Sequence, residues 1–181
     1  HVSQDRIAAH FQSSLDGLSK AVQSADLRAT THTIARTVSD ALKAGNKLLL
    51  IGNGGSAADA QHIAAEIVGR YKQERPGWAA IALTTDTSAL TAIANDYGFE
   101  QIFARQVQGL AKRGDVLFAL TTSGRSPNIL AALKVAHDLG VTTVGFTGTK
   151  GESMRAACDH LFVAPTDDTP VVQQVHMMAM H

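Results

Sequence analysis

The segment from Lys47 to Glu66, KLLLIGNGGSAADAQHIAAE, constrains this chain more than any other. Four apolar residues, Leu48 to Ile51, run straight into Gly52-Asn53-Gly54-Gly55-Ser56, and an alanine-rich segment follows at once. An apolar run, a glycine-rich turn and a helix former in that order describe a buried strand feeding a helix through a tight loop. Such a loop leaves backbone N–H groups unpaired at a helix N-terminus, where the macrodipole also favours an anion. A phosphate-bearing ligand above the end of this strand is therefore expected.

The same punctuation recurs along the chain. Strands are expected at 47–51, 79–83, 116–120, 141–146 and 160–164, each a continuous apolar run rather than an alternation. Helices are expected at 3–21, 27–43, 55–72, from Ser88 to a break at Asn95-Asp96-Tyr97-Gly98, and at 100–112, 127–139 and 152–157. A terminal helix opens with Thr169 as N-cap and Pro170 at its first position. In the first helix Ile7, Phe11, Leu15 and Leu18 are spaced for one face, as are Ile34, Val38 and Leu42 in the second. Apolar strands alternating with helices mean an α/β fold, a doubly wound, flavodoxin-like, five-stranded parallel sheet with two added N-terminal helices.

At 181 residues the chain reads as one domain, 1–181, with a helical pair for oligomerisation at 1–44 and an α/β core at 45–181. Lys plus Arg and Asp plus Glu are 16 each, so bulk charge points to neither a nucleic acid nor an anionic membrane. No apolar run approaches the length of a membrane helix. The one cysteine, Cys158, excludes an internal disulfide and suits a reducing, cytoplasmic setting. The start has no signal pattern and no Met, and VVQQVHMMAMH stops without a C-cap, so both ends read as trimmed, the last in mid-helix.

Ligands of doubly wound sheets sit at the carboxyl ends of the strands, where loops 52–56, 84–87 and 121–126 are rich in small polar residues. Gly52, Gly54 and Ala57 also match a dinucleotide fingerprint, but the acid it needs is missing: Asp86 lies well past the required spacing. Thr121, Thr122, Ser123 and Ser126 tip the balance. One helix cap needs one hydroxyl, whereas four in six residues at a strand-to-helix junction suit a phosphate monoester.

His62 and Glu66 stand four apart on a helix and share a face, a spacing for two metal ligands or for a base with its partner. An exposed surface pair has the same spacing. Gln173 and His181 are eight apart, a little over two turns, and lie near one face. His176, three beyond Gln173, is the other candidate partner, or part of a polar stripe. Asn95-Asp96 are ordinary turn residues unless that loop reaches the site. His10, His32, His137 and His160 have no clustered partner and read as structural, and Cys158 reads as a small core residue.

With these residues assembled, the chain resembles the sugar isomerase (SIS) family. The carriers are GNGGSAADAQH at 52–62, AAEIVGRY at 64–71, RPG at 75–77, LTTDTSALTAIANDYG at 83–98, TSGRSPNIL at 122–130, GFTG at 145–148 and DTPVVQQVH at 168–176. The resemblance implies sugar-phosphate binding by Asn53, Gly54, Gly55, Ser56, Asn95, Asp96, Thr121, Thr122, Ser123 and Ser126, with Glu66 and Gln173 also facing substrate. Where most members read Ser-Thr-Ser-Gly, this chain reads Thr-Thr-Ser-Gly, which keeps the hydroxyl. It further implies Glu66 as base, His181 as acid, and a zinc ion held by His62, Glu66, Gln173 and His181. The implied reaction is aldose–ketose isomerisation of sedoheptulose 7-phosphate to D-glycero-D-manno-heptose 7-phosphate through an enediol, the entry to bacterial surface heptose. Homotetramers with sites built between subunits are implied as well. The rival from the same family is a non-catalytic regulator that binds a sugar phosphate or associates with a replication initiator. The presence of both Glu66 and His181 favours the enzyme.

Overall fold

A computed structural model describes residues 2–181, so the expected domain start at position 1 lies outside the described residues. Its elements run α1 (Gln4–Gln23), α2 (Ala25–Lys43), β1 (Leu48–Gly52), α3 (Gly55–Val68), β2 (Ala80–Ala82), α4 (Thr87–Tyr97), α5 (Ile102–Leu110), β3 (Val116–Leu120), α6 (Pro127–Asp138), β4 (Thr142–Thr147), β5 (His160–Val163) and α7 (Thr169–Met180). All five strands are parallel, in the order β2-β1-β3-β4-β5 expected of a flavodoxin-like sheet.

The apolar runs of β1, β3 and β4 are explained by burial on both sides, whereas in the edge strand β2 Ile81 is 40% exposed. Successive side chains of a strand face opposite ways, so Leu48, Leu50, Phe118 and Phe146 join a core with Ile34 of α2, Ile63 of α3 and Val172 of α7. Leu49, Ile51, Leu117 and Ala119 join the other core, with Val107 of α5 and Ile129 of α6. At the start of β3, Asp115 accepts from the backbone N–H groups of Lys47 (3.0 Å) and Lys112 (2.8 Å) and pairs with the Lys47 ammonium at 2.6 Å. That carboxylate fastens β1 to β3 at their amino ends. No helix among the described residues is long and apolar enough to cross a membrane.

Several boundaries differ from expectation, each for a local reason. Helix α3 stops at Val68 rather than 72, because the Arg75 guanidinium donates to the carbonyls of Glu66 and Ile67, both at 2.9 Å, and closes the helix end. Asn95, Asp96 and Tyr97 do not break α4 but complete it, and the stop is Gly98 with φ of 90°. Asp168, not Thr169, holds the N-cap position of α7, and its Oδ2 accepts from Ser13 Oγ of α1 at 3.2 Å. The expected stripe of α1 divides: Leu18 packs on the core, whereas Ile7, Phe11 and Leu15 are 45%, 68% and 57% exposed. The side of α1 that packs is marked by Gly17 and Ala21, since a Cβ at Gly17 has no room beside Val171.

Candidate functional site

The first loop rises from β1. Gly54 has φ of 55°, and the carbonyl of Asn53 accepts the N–H of Ser56 (3.0 Å) to open α3. The Asn53 side chain turns away toward α6, where its amide and that of Asn128 donate to one another at 2.9 Å each. Asp86, weighed above for a ribose, caps α4 by accepting from Ala89 N–H at 3.0 Å.

In the third loop the four hydroxyls divide their work. Thr121, 4% exposed, points inward: its hydroxyl accepts the Gly124 N–H at 3.2 Å and pairs with Ser126 Oγ at 3.0 Å. Ser126 makes no side-chain cap on α6. Ser123, exposed, accepts the Arg125 N–H at 3.2 Å. Thr122 uses its carbonyl to take the Gly148 N–H (3.4 Å), and its hydroxyl makes no hydrogen bond among the described residues. The helix-cap explanation of these residues therefore fails for Ser126 and Thr122. The loop is held down by a close backbone approach: Gly124 has φ of 67°, and a Cβ on it would lie 2.5 Å from Gly151 Cα and 2.8 Å from Gly151 O. Gly124→Ala is expected to cost about 2 kcal/mol of stability from backbone strain and crowding, read as a lower denaturant midpoint.

Helices α3 and α7 pack against each other and carry the remaining candidates. At the loop end of α3, the Gln173 amide lies against Gly55, close enough that a Cβ there would sit 2.6 Å from Nε2. Two to three turns further on, Glu66 Oε1 is 3.2 Å from His62 Nε2 and 4.0 Å from His181 Nε2. The imidazoles of His62 and His181 meet edge to face at 5.0 Å, and Tyr71 packs on His181 at 5.2 Å. His181 Nδ1 lies 2.9 Å from the Met177 carbonyl. The carbonyl only accepts, so Nδ1 donates there and Nε2 is the nitrogen nearer Glu66. Seven residues separate Gly55 from His62, about 10 Å of helix rise, so the site is elongated.

His62, Glu66 and His181 offer ligand atoms all within 4.8 Å of one another. Two imidazoles and a carboxylate are a zinc-type donor set, and donors about 2.0–2.1 Å from a tetrahedral ion stand roughly 3.3 Å apart, near the His62–Glu66 separation of 3.2 Å. The residues present therefore fit a metal. Gln173 lies on the same helix as His181, with its amide against Gly55.

Asn95 and Asp96 are exposed in the last turn of α4 and bond each other at 2.9 Å. Among the described residues, no hydrogen bond or ion pair joins them to the loops or to the trio. Asp59 precedes His62 by one turn; its Oδ2 is buried with no hydrogen-bond partner among the described residues, and burial raises its carboxyl above the usual range, with His62 opposing. His176 is fully buried, so it belongs to neither the trio nor a surface stripe. Cys158 is half-buried, its thiol pushed up to about 11 by burial and then by Asp159, which suits a core residue rather than a nucleophile. A cavity of about 220 Å³ beneath α2 is lined largely by apolar groups including Ile34, Val38, Phe118 and Met180 and is not where the trio lies.

A family model for the SIS domain matches residues 10–148. The chain belongs to the SIS domain family. Within it, the phosphoheptose isomerase of Bradyrhizobium sp. strain BTAi1 is 60% identical over 99% of this chain and 90% of its own length. Phosphoheptose isomerase GmhA from Neisseria gonorrhoeae superposes with a TM-score of 0.91 at 42% identity, covering 98% of this chain and 94% of that one. A phosphoheptose isomerase from Francisella tularensis gives 0.95 at 35% identity, over 100% and 95%. This SIS domain is accordingly an isomerase of the phosphoheptose isomerase group.

Two neighbours of the candidate residues carry no sequence signal. Tyr71 is expected inside a helix through 72, whereas α3 stops at Val68 and Tyr71 packs on His181. Asn128 gave no signal beyond its place in the first turn of a helix. An i,i+4 pattern finds partners on one helix, and neither residue meets its partner that way.

Proposed function

We propose that this SIS domain converts sedoheptulose 7-phosphate to D-glycero-D-manno-heptose 7-phosphate by aldose–ketose isomerisation, in the cytoplasm, as an entry to bacterial heptose for surface polysaccharide. The observation that carries the reading is the spacing of the candidate groups along α3. A carboxylate flanked by two imidazoles stands at one end, and hydroxyl and amide loops at helix N-termini stand at the other. The separation suits an extended sugar phosphate with its phosphate on loops 52–56 and 121–126 and its carbonyl carbons beside Glu66. Glu66 takes a proton from the carbon next to the carbonyl, giving an enediol, and the proton returns to the neighbouring carbon. His181 passes a proton to or from the sugar oxygens through Nε2. Phosphate contacts remote from the reacting carbons hold the chain in register. A zinc ion on His62, Glu66 and His181, with Gln173, would supply Lewis-acid stabilisation of negative charge on those oxygens.

Self-association into a homotetramer is part of the proposal. It is supported by the exposed apolar row Ile7, Phe11 and Leu15 on α1, and by Asn95 and Asp96, which a neighbouring subunit would have to bring to the site. A monomeric mass in solution overturns it.

The test is turnover of sedoheptulose 7-phosphate with metal analysis of the same sample. Thr122→Val, which removes the free hydroxyl of the third loop, is expected to raise KM about tenfold with kcat nearly unchanged. A folded protein that binds the sugar phosphate without turnover would favour the regulator reading instead.

A further inference from the structure

Asn53 and Asn128 form a reciprocal amide pair. Each side chain donates its N–H to the other's carbonyl oxygen at 2.9 Å. Asn128 is 1% exposed and lies in the first turn of α6, and Asn53 follows the last residue of β1. The residues are 75 apart in sequence, so the pair is the direct side-chain tie between the loop that opens α3 and the loop that opens α6. Asn53 serves both sides of that junction, since its backbone carbonyl accepts the Ser56 and Ala57 N–H groups while its side chain holds α6.

We infer that Asn128 is a positioning residue for the isomerase: through Asn53 it sets the separation of the two helix N-termini that together receive the phosphate. The Asn53 side chain then acts through Asn128 rather than on the ligand. A reciprocal pair needs one donor and one acceptor on each partner, which the amide provides and neither a carboxylate nor an alkyl group does. An anion shared by two helix N-termini is sensitive to their spacing, because the N–H groups of both must stay within hydrogen-bond reach at once. The inference rests on reading loops 52–56 and 121–126 as the phosphate cradle.

Asn128→Asp tests it with almost no change of shape. The ionised carboxylate keeps the bond from Asn53 Nδ2 but sets an oxygen against Asn53 Oδ1. On protonation it regains a donor, and the pair can close again. Inorganic phosphate binding and kcat/KM for sedoheptulose 7-phosphate would be followed from pH 5 to 8, beside amide hydrogen exchange at residues 54–57 and 123–129. Expected at pH 8 is phosphate affinity about tenfold weaker than wild type, a raised KM, a nearly unchanged kcat and faster exchange in both loops. Recovery toward wild type at acid pH is the signature that a general loss of packing does not produce.

A folded variant with wild-type exchange at 54–57, or with a deficit that ignores pH, overturns the inference. If exchange quickens in both loops but wild-type protein binds no phosphate, the tie stands and the cradle reading falls. Should N128D fail to fold, Asn53→Asp on the more open side of the pair is the second variant. It must quicken exchange at 126–129, across the tie, and unchanged exchange there overturns the inference equally.

Discussion

Glu66→Gln is expected to lower kcat for sugar-phosphate isomerisation by about a thousandfold or more while the fold survives. The carboxylate is partly exposed at the surface of α3, so an amide of the same shape disturbs no packing. What it removes is chemical. A glutamine cannot take the proton from the carbon beside a carbonyl, and it presents neutral atoms to His62 and His181, which flank Oε1 at 3.2 and 4.0 Å. Substrate carbon-bound hydrogen exchange with heavy water is the direct readout, because it reports proton abstraction even when product does not accumulate. Loss of exchange with unchanged circular dichroism assigns the base. Metal content of the same variant separates the two parts a carboxylate can play here. Exchange lost with metal retained identifies the proton acceptor, and both lost together makes Glu66 a ligand first. Exchange at the wild-type rate would put the base elsewhere.

Acid unfolding should be governed in good part by His176. Its imidazole is fully buried, edge-on to Phe146 and Phe162, with Nε2 donating to the Thr147 carbonyl at 2.9 Å and Nδ1 without a partner among the described residues. Burial disfavours the imidazolium and pushes the group from 6.5 down to about 4, with the Thr147 contact opposing. The unfolded chain therefore binds this proton more readily than the folded one. Stability is full above about pH 6.5 and falls as pH drops toward 4, by about 3 kcal/mol across the window. Asp59 works in the opposite sense. Its carboxyl is raised in the fold, so acidification relieves a strain there. A difference experiment isolates the histidine. In His176→Gln, which keeps an N–H for the Thr147 carbonyl but does not titrate in this range, the loss of denaturant midpoint between pH 7 and 4.5 should largely vanish. An undiminished slope would assign it to other groups. Because the Thr147 hydroxyl and the Gly148 N–H both donate to the Thr122 carbonyl, the same variant also shows how far the third loop depends on this anchor.

Much of this architecture could be read along the chain. Continuous apolar runs announced strands buried on both faces, which holds for the inner strands but not for the edge strand β2, where Ile81 is exposed; each sheet face carries its own helices. The glycine loop after β1 and the four hydroxyls after β3 were visible as loop chemistry. The pairing of His62 with Glu66 followed from helix periodicity alone, and the 3.2 Å contact bears it out. Where reading failed, short-range signals competed. Asn95-Asp96 looked like a break, yet a helix can carry both residues to the next glycine, and the stop was set by Gly98 and its positive φ. Thr169 and Asp168 are both capable caps, and the choice was made by how α7 meets α1 through Ser13.

The sequence by itself determined which segments would be strands, which loops would carry donors, and which helix faces would carry His62 with Glu66 and Gln173 with His181. Those follow from nearest-neighbour conformational preferences and from periodicity, which act over a few residues. Only the tertiary structure decided that α7 lies along α3, bringing His181 to Glu66 across 115 positions while leaving Gln173 beside Gly55. It also turned Thr121 inward and set Tyr71 on His181. The physical reason is that such contacts are selected by packing the two helices on one sheet face. That arrangement is fixed by the summed burial of many side chains, and no local stretch of sequence contains it.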